Sequence, residues 1–466
     1  MCRRDAGVKG LKQLGFDIDF NGLNRPDMIA SIVSRLKQQH IVIAAITAMT
    51  LKGSGALLTI AIFTLAARTM PPDDFGKLAI WFNAMGFLGI TAVFGQETLI
   101  ARSWGQYQGQ DQPEIARAAY RFGWQRTLVA GTVFSLIVLL VAPLLPLNIS
   151  IATAVAAAAF LFAQTLLHFL SHATRVIVGL VISETNRELT WRLVLLATVI
   201  WAVLHNGLTP GAFMGAGAFG MSMSIAIELW ALGRKLKAET PKNGAVDLAT
   251  HRQNWSARGR DMWLSAIVEA ASLYVDVLLI GYFASPSEAG SYFVAARIAN
   301  VFLMINGGLN TYTFAHSARL YFSGQIGKLQ EICKTVAGAA AALGLPLLLI
   351  IFVFGPQILS LFGARYMPAF TSLMILATAS YVVSLCGSAS VIVLTSGHER
   401  LYSRVILAAT LGRLALTSFL AFRYGALGAA IGWASISLPL AMGLAYAARK
   451  LCGVDTSILS FLTKAR

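Results

Sequence analysis

The chain has 466 residues, of which 12% are charged and 56% hydrophobic, and its mean hydropathy is +0.67. Soluble domains carry about 25% charged residues, so a soluble enzyme is excluded, and 13 prolines without a low-complexity tract exclude a fibrous or disordered chain. In a soluble protein a net charge of +16 would point to nucleic acid; here the placement of the charge points to a membrane and no nucleic-acid partner is needed.

The first 40 residues mix charge and glycine and show no apolar run followed by a small-residue cleavage site, unlike a secretory signal. Ile29, Ile32, Val33 and Leu36 share one helical face, which suits a short surface helix over 29–40 as well as a loosely ordered tail. Runs of about 20 apolar residues, the length needed to cross the hydrocarbon core, then follow near 44–66, 78–100, 124–146, 151–173, 189–206 and 211–233. After the polar stretch Arg234–Arg260 come 262–283, 289–311, 332–354, 367–390, 402–422 and 425–448. The fifth is the weakest, with Arg192 at its edge. The expectation is an all-α integral membrane protein with twelve transmembrane helices in two six-helix bundles. Its segments are 1–43, 44–233, 234–261, 262–448 and 449–466: a cytoplasmic leader, a bundle, a linker, a bundle and a tail.

Thirty of the 37 Lys and Arg fall in alternate segments, beginning with residues 1–40, whereas the opposite loops hold Arg68, Lys77, Arg365 and Arg423. The positive-inside rule then puts both termini in the cytoplasm. The bundles also share a turn. Pro72-Asp-Asp-Phe-Gly76 joins the first and second spans, and Pro286-Ser-Glu-Ala-Gly290 joins the seventh and eighth. Both read Pro-x-acidic-x-Gly at the same place in their half, which argues for a duplicated unit. Six spans per unit is an even number, so the copies are related by a pseudo-two-fold along the membrane normal, a plan that puts a substrate cavity between the halves.

Three stretches carry a family resemblance: RTMPPDDFGKLAIW after the first span, YVDVLLIGYFASPSEAGSYFVAARI across spans seven and eight, and LFGARYMPAFTSLMILA entering span ten. In order and spacing they resemble the polysaccharide-transport branch of the multidrug/oligosaccharidyl-lipid/polysaccharide (MOP) exporter superfamily, over most of residues 44–448. The chain departs from that pattern in its long leader and in Thr69-Met70, where leucine-glycine is commoner. The resemblance implies a MATE-like, V-shaped fold in a bacterial inner membrane. It also implies a flippase or exporter of lipid-linked oligosaccharide or polysaccharide, of the kind that serves lipopolysaccharide or exopolysaccharide synthesis. The substrate would be a lipid-linked glycan, and glycan polymerases and glycosyltransferases would be partners beside the membrane lipids. Two readings compete with an ion-coupled transporter of this kind: a multidrug/cation antiporter of the related branch, and a non-transporting scaffold of a glycan-synthesis complex.

The motifs for other chemistry are absent. There is no phosphate-cradling GxxxxGK[ST], no GxSxG and no HExxH, and Cys2, Cys333, Cys386 and Cys452 lie far apart. No catalytic, cofactor or metal site is expected; His168 and His172 share a helix face without a third ligand. What remains is the set of ionisable residues inside spans, each costing about 2.5–3.5 kcal/mol or more to insert. Glu97 and Glu228 lie near span ends, where snorkelling competes with function. Lys52, Arg297 and Arg413 are the candidates for a cavity that meets the anionic phosphate of a glycolipid, arginine being suited to phosphate by its planar fork of donors. Glu269 and Asp276, two turns apart on one face, are the ion-coupling candidates, and an Arg297–Asp276 pair is the competing, purely neutralising arrangement. Trp81, Tyr282 and Tyr292 are expected at membrane interfaces, and the glycine runs at 211–215, 338–342 and 428–432 at close helix contacts.

Overall fold

The computed structural model describes residues 50–144, 150–205, 207–238 and 248–461, and Thr47. The expected surface helix at 29–40 and residues 239–247 of the linker lie outside this set. Leu51–Arg466 packs as one unit; in the other unit, Met1–Thr50, the described Thr47 and Thr50 are helical.

Among the described residues eleven helices are long and apolar enough to cross a membrane. They are Thr50–Thr69, Pro72–Ala92, Pro113–Leu144, Ile151–Ile177, Leu180–His205, Pro210–Lys237, His251–Phe283, Pro286–Phe322, Ile326–Ser360, Ala364–Leu385 and Glu399–Cys452. The last runs for 54 residues but breaks at Gly425 (φ 56°, ψ −135°), a backbone state open to glycine alone, and so supplies two spans. The total is twelve, numbered here one to twelve in chain order.

Local chemistry sets the starts. Span two opens with Pro72 at its first position and Asp73 and Asp74 in its first turn, where proline lacks only an unused donor and acids meet the helix dipole. Span eight opens on Ser285, whose hydroxyl accepts from the Glu288 amide at 3.2 Å, with Pro286 next. Of the boundaries that differ from the hydropathy reading, two move charged residues. Span two ends at Ala92, because Phe94 (φ 55°) and Gly95 (φ 70°) turn the chain before a separate helix, Gln96–Gly109. Span five begins at Leu180 and absorbs a π-helical turn, Asn186–Thr190, so Arg187 and Arg192 stand inside the helix rather than in a loop. Polar partners described below make that placement tolerable.

Large apolar side chains such as Leu57, Leu140, Leu144 and Ile151 point outward, as a bilayer requires. Between helices, small residues let backbones approach. Gly211 meets Thr153, Gly217 meets the Phe160 ring and Gly432 meets Thr417, joining spans four and six and spans eleven and twelve. Span two is the central strut, packed on span four of its own half and on spans seven and eight of the other. This position corrects one expectation. Tyr282 is exposed, but Trp81 and Tyr292 are buried, because protein rather than headgroups surrounds the faces of spans two and eight that carry them.

The duplicated turns meet each other. A Cβ on Gly76 would collide with the Pro286 carbonyl, and one on Gly290 would fall 3.2 Å from the Gly76 Cα. Beside them, Arg365 donates to the carbonyls of Ala67 and Met70 at 2.7 and 2.9 Å, and Arg68 donates back to the Leu361 carbonyl. The cation-poor end is thus closed across the two halves. At the cation-rich end, the helix of span seven starts as early as Leu248, and this extension docks on the first half. There Trp255 donates to the Tyr107 hydroxyl (3.1 Å), Trp263 donates to the Thr91 carbonyl (2.8 Å), and Phe94 stacks on Trp263 at 4.5 Å.

Candidate functional site

Span two places Asn83 on the seam between the halves, and spans seven, eight, ten and twelve bring Tyr274, Arg297, Ser380 and Trp433 to the other side of a cavity of about 140 Å³. The Tyr274 ring lies over Gly86, leaving no room for a Cβ there. Asn300, one turn from Arg297, adds an amide.

Arg297 occupies the middle of this seam. Its guanidinium lies 4.6 Å from the ring of Phe293 in its own helix, and 5.4 and 5.7 Å from Phe82 and Phe63 in the other half. No carboxylate pairs with it among the described residues. Ring faces attract a cation, by about 0.5–2 kcal/mol each depending on desolvation. They do not neutralise it, so a full positive charge faces the cavity.

Arg413 is placed differently. Its Nη1 lies 3.5 Å from Asp276 Oδ2, both side chains are buried, and Nη2 reaches toward the Ala271 carbonyl. The partner of Asp276 is therefore Arg413 and not Arg297, and the Tyr292 hydroxyl lies against the same carboxylate. This clamp joins spans seven and eleven within the second half. Lys52 is exposed near the cation-rich end of span one, roughly 16 Å along the helix from Phe63, within electrostatic reach of His172.

Glu269 is exposed on span seven, two turns from Asp276, and lies within electrostatic reach of Glu97 of the first half. Glu97 begins the helix Gln96–Gly109 rather than ending span two. It is buried, and that burial, against the helix-end amide and together with the Glu269 charge, pushes its carboxyl up to about 7. A carboxyl at that value exchanges a proton near neutrality.

Hydropathy did not single out a second polar cluster in the first half. Arg192 donates to Thr59 (2.9 Å), to the Glu188 carboxylate (3.0 Å) and to the Glu188 carbonyl (2.7 Å), tying span five to span one, and Glu188 packs directly on Gly55. Two cations and an acid within Asn186–Arg192 were the available signal; the π turn turns them inward. Arg192 lies within electrostatic reach of both Arg297 and Tyr274, so the two halves each bring one guanidinium toward Tyr274. Near it, Arg175 pairs with Glu184, and Thr174 donates to Glu228 at 3.3 Å. The His168 and His172 rings are 4.9 Å apart, and His172 Nδ1 donates to the His168 carbonyl; among the described residues no set of three metal-ligating side chains gathers there or elsewhere.

Comparison with known proteins gives three findings. Residues 43–314, more than half of the chain, match the family described as polysaccharide biosynthesis protein. The chain is 26% identical over 153 residues to a probable flippase, AglR, of Haloferax volcanii, a match spanning 33% of this chain and 29% of that one. Its fold is similar to that of a multidrug resistance MATE family transporter of the MOP superfamily. The TM-score is 0.70 to the inward-facing conformation (14% identity, 88% of this chain and 98% of that one) and 0.59 to the outward-facing conformation (14%, 89% and 95%). The twelve-helix architecture is MATE-like.

Proposed function

This chain belongs to the polysaccharide biosynthesis protein family, and on that premise we propose that it moves a lipid-linked oligosaccharide or polysaccharide across a bacterial inner membrane by alternating access. The observation that carries this reading is Arg297, a guanidinium without a carboxylate partner among the described residues, on the seam between two six-span halves and facing a polar cavity. A glycolipid phosphate is the complementary charge, and amides, hydroxyls and rings beside it (Asn83, Asn300, Tyr274, Trp433) suit a sugar. A drug or metal cation would instead meet the unpaired guanidinium of Arg297, while the carboxylate of the lining, Asp276, is already held by Arg413.

In this reading the bodies 44–233 and 262–448 rock about the linker 234–261, both termini are cytoplasmic, and the closed, cation-poor end faces outward. A cavity of 140 Å³ is below the ~300–1,000 Å³ of ordinary ligand pockets, so the halves part further when a glycan enters. Lys52 meets the anionic group at the cytoplasmic mouth and Arg297 meets it midway, while Arg413 acts through the Asp276 that it holds. Glu269, within electrostatic reach of Glu97, is the coupling candidate in this reading; Asp276 couples only in a state that frees it from Arg413. Glycan polymerases and glycosyltransferases are the partners that such a substrate requires.

The test is uptake of a labelled lipid-linked oligosaccharide into liposomes, with and without a pH gradient. Arg297→Gln is expected to lower the rate roughly 10- to 100-fold, the value of one charge-assisted hydrogen bond, with folded protein retained. Unchanged transport would remove the assignment.

A further inference from the structure

At the cation-rich end the start of span three lies beside the helical extension of span seven, and the two present facing rows of side chains. Phe122 and Arg126 are four residues apart on one helix; Arg252, Ser256 and Arg260 repeat at the same spacing on the other, so each set shares a face. They wall an open groove of about 450 Å³ in which no carboxylate takes part. Arg126 is held in place: it donates to the Ser256 hydroxyl at 2.8 Å, and its guanidinium lies 4.6 Å from the Phe122 ring. Among the described residues none of the three arginines is in an ion pair. Three such charges around one groove repel one another unless an anion sits between them.

The surface beyond the groove decides which anion. On span three the exposed Val129, Val133, Ile137 and Leu140 continue from Arg126 along the same helical face, and Leu264, 61% exposed, lies one turn beyond Arg260. The site is therefore polar and cationic at headgroup depth and apolar below it. A phosphodiester head with acyl chains uses both parts; a free phosphate uses only the first.

We propose that this groove binds the headgroup of an anionic phospholipid of the inner leaflet, with its chains along span three. Because the groove is shared by the first half and by the helix that begins the second, the lipid braces the docking of span seven made by Trp255 and Trp263. The inference concerns a site remote from the seam cavity and stands whether or not that cavity carries a glycan.

The full-length protein in neutral detergent provides the test. Phosphatidylglycerol is expected to raise the unfolding midpoint by about 2–4 °C, while phosphatidylcholine with the same chains, and inorganic phosphate, leave it unchanged. Arg252→Gln with Arg260→Gln should abolish that rise and weaken binding of fluorescent phosphatidylglycerol roughly tenfold, whereas Arg400→Gln with Arg404→Gln, elsewhere on the same end, should preserve both. A rise that survives in the groove variant, or that phosphatidylcholine reproduces, overturns the proposal. An equal rise with inorganic phosphate also overturns it, identifying a free-anion site instead.

Discussion

Arginine 297 and arginine 413 carry the same charge inside the same half, and their surroundings give them opposite uses. Arg413 is paired in a buried site, so Arg413→Ala strips the buried Asp276 carboxyl of its countercharge, at a cost of about 3–5 kcal/mol. The expected result is loss of folded protein in detergent, seen as a lowered midpoint or early elution as aggregate, before any transport assay is informative. Arg297 has rings and a cavity about it and no carboxylate partner among the described residues, so Arg297→Gln is expected to spare the fold while lowering transport. Glu97 gives a pH signature. Its carboxyl, raised to about 7 in the folded protein against 4.5 for an unperturbed group, holds its proton more tightly when folded. The stability it contributes is complete below about pH 4.5 and is lost as the pH rises through about 7. Thermal midpoints measured from pH 5 to 8 should fall less steeply in Glu97→Gln than in the parent protein; parallel curves would refute the assignment. The sequence shows that these residues sit within or near apolar runs, and nothing local shows which of two arginines finds the one aspartate.

At the scale of the element, turns and breaks do most of the positioning. Gly425 separates spans eleven and twelve in a conformation closed to other residues, and the Glu288 carboxylate, from the second copy of the duplicated turn, accepts from the Ala426 amide at 2.8 Å. An acid at a new helix start meets unpaired amides and the positive end of the dipole. Gly425→Ala forces both strain and a collision with Glu288, and a loss of about 1–3 kcal/mol is expected. Gly443→Ala, in the open helical interior of span twelve, should be neutral or slightly stabilising when the two are unfolded side by side. Span five shows why hydropathy misplaces a boundary. Its first turns carry Arg187, Glu188 and Arg192, which lower the local average, yet the helix continues through them because span one supplies Thr59 and a glycine face. Span two errs the other way: apolar residues continue past Ala92, but Phe94 and Gly95 turn the backbone out of the helix.

Across the whole molecule the two halves touch at both ends but in different ways. At the cation-poor end the contact is glycine on glycine, with two arginines each bonded to carbonyls of the opposite half. At the other end the extension of span seven is stapled to the first half by indoles. Beside the glycines, the buried Phe75 ring packs on Phe293 and Tyr366 of the other half, so the first contact is apolar as well as hydrogen-bonded. Replacing Arg68 and Arg365 by alanine should open that end. In a cysteine-free background, a cysteine at Asn83 is then expected to react faster with an impermeant thiol reagent added from outside, while the same cysteine with both arginines intact stays protected.

Chain length, low charge, twelve apolar runs, the alternation of cations and the repeated Pro-x-acidic-x-Gly turn determine the membrane class, the span count and the twofold plan. Each of these depends on quantities that are local or additive along the chain. The pairing of Arg413 with Asp276, the aromatic seat of Arg297, the burial of Glu97 within reach of the Glu269 charge and the meeting of Gly76 with Gly290 depend on residues far apart in sequence. Only helix packing, inside the second half for the Arg413 pair and between the halves for the rest, fixes helix rotation and separation to within a side chain and so decides them.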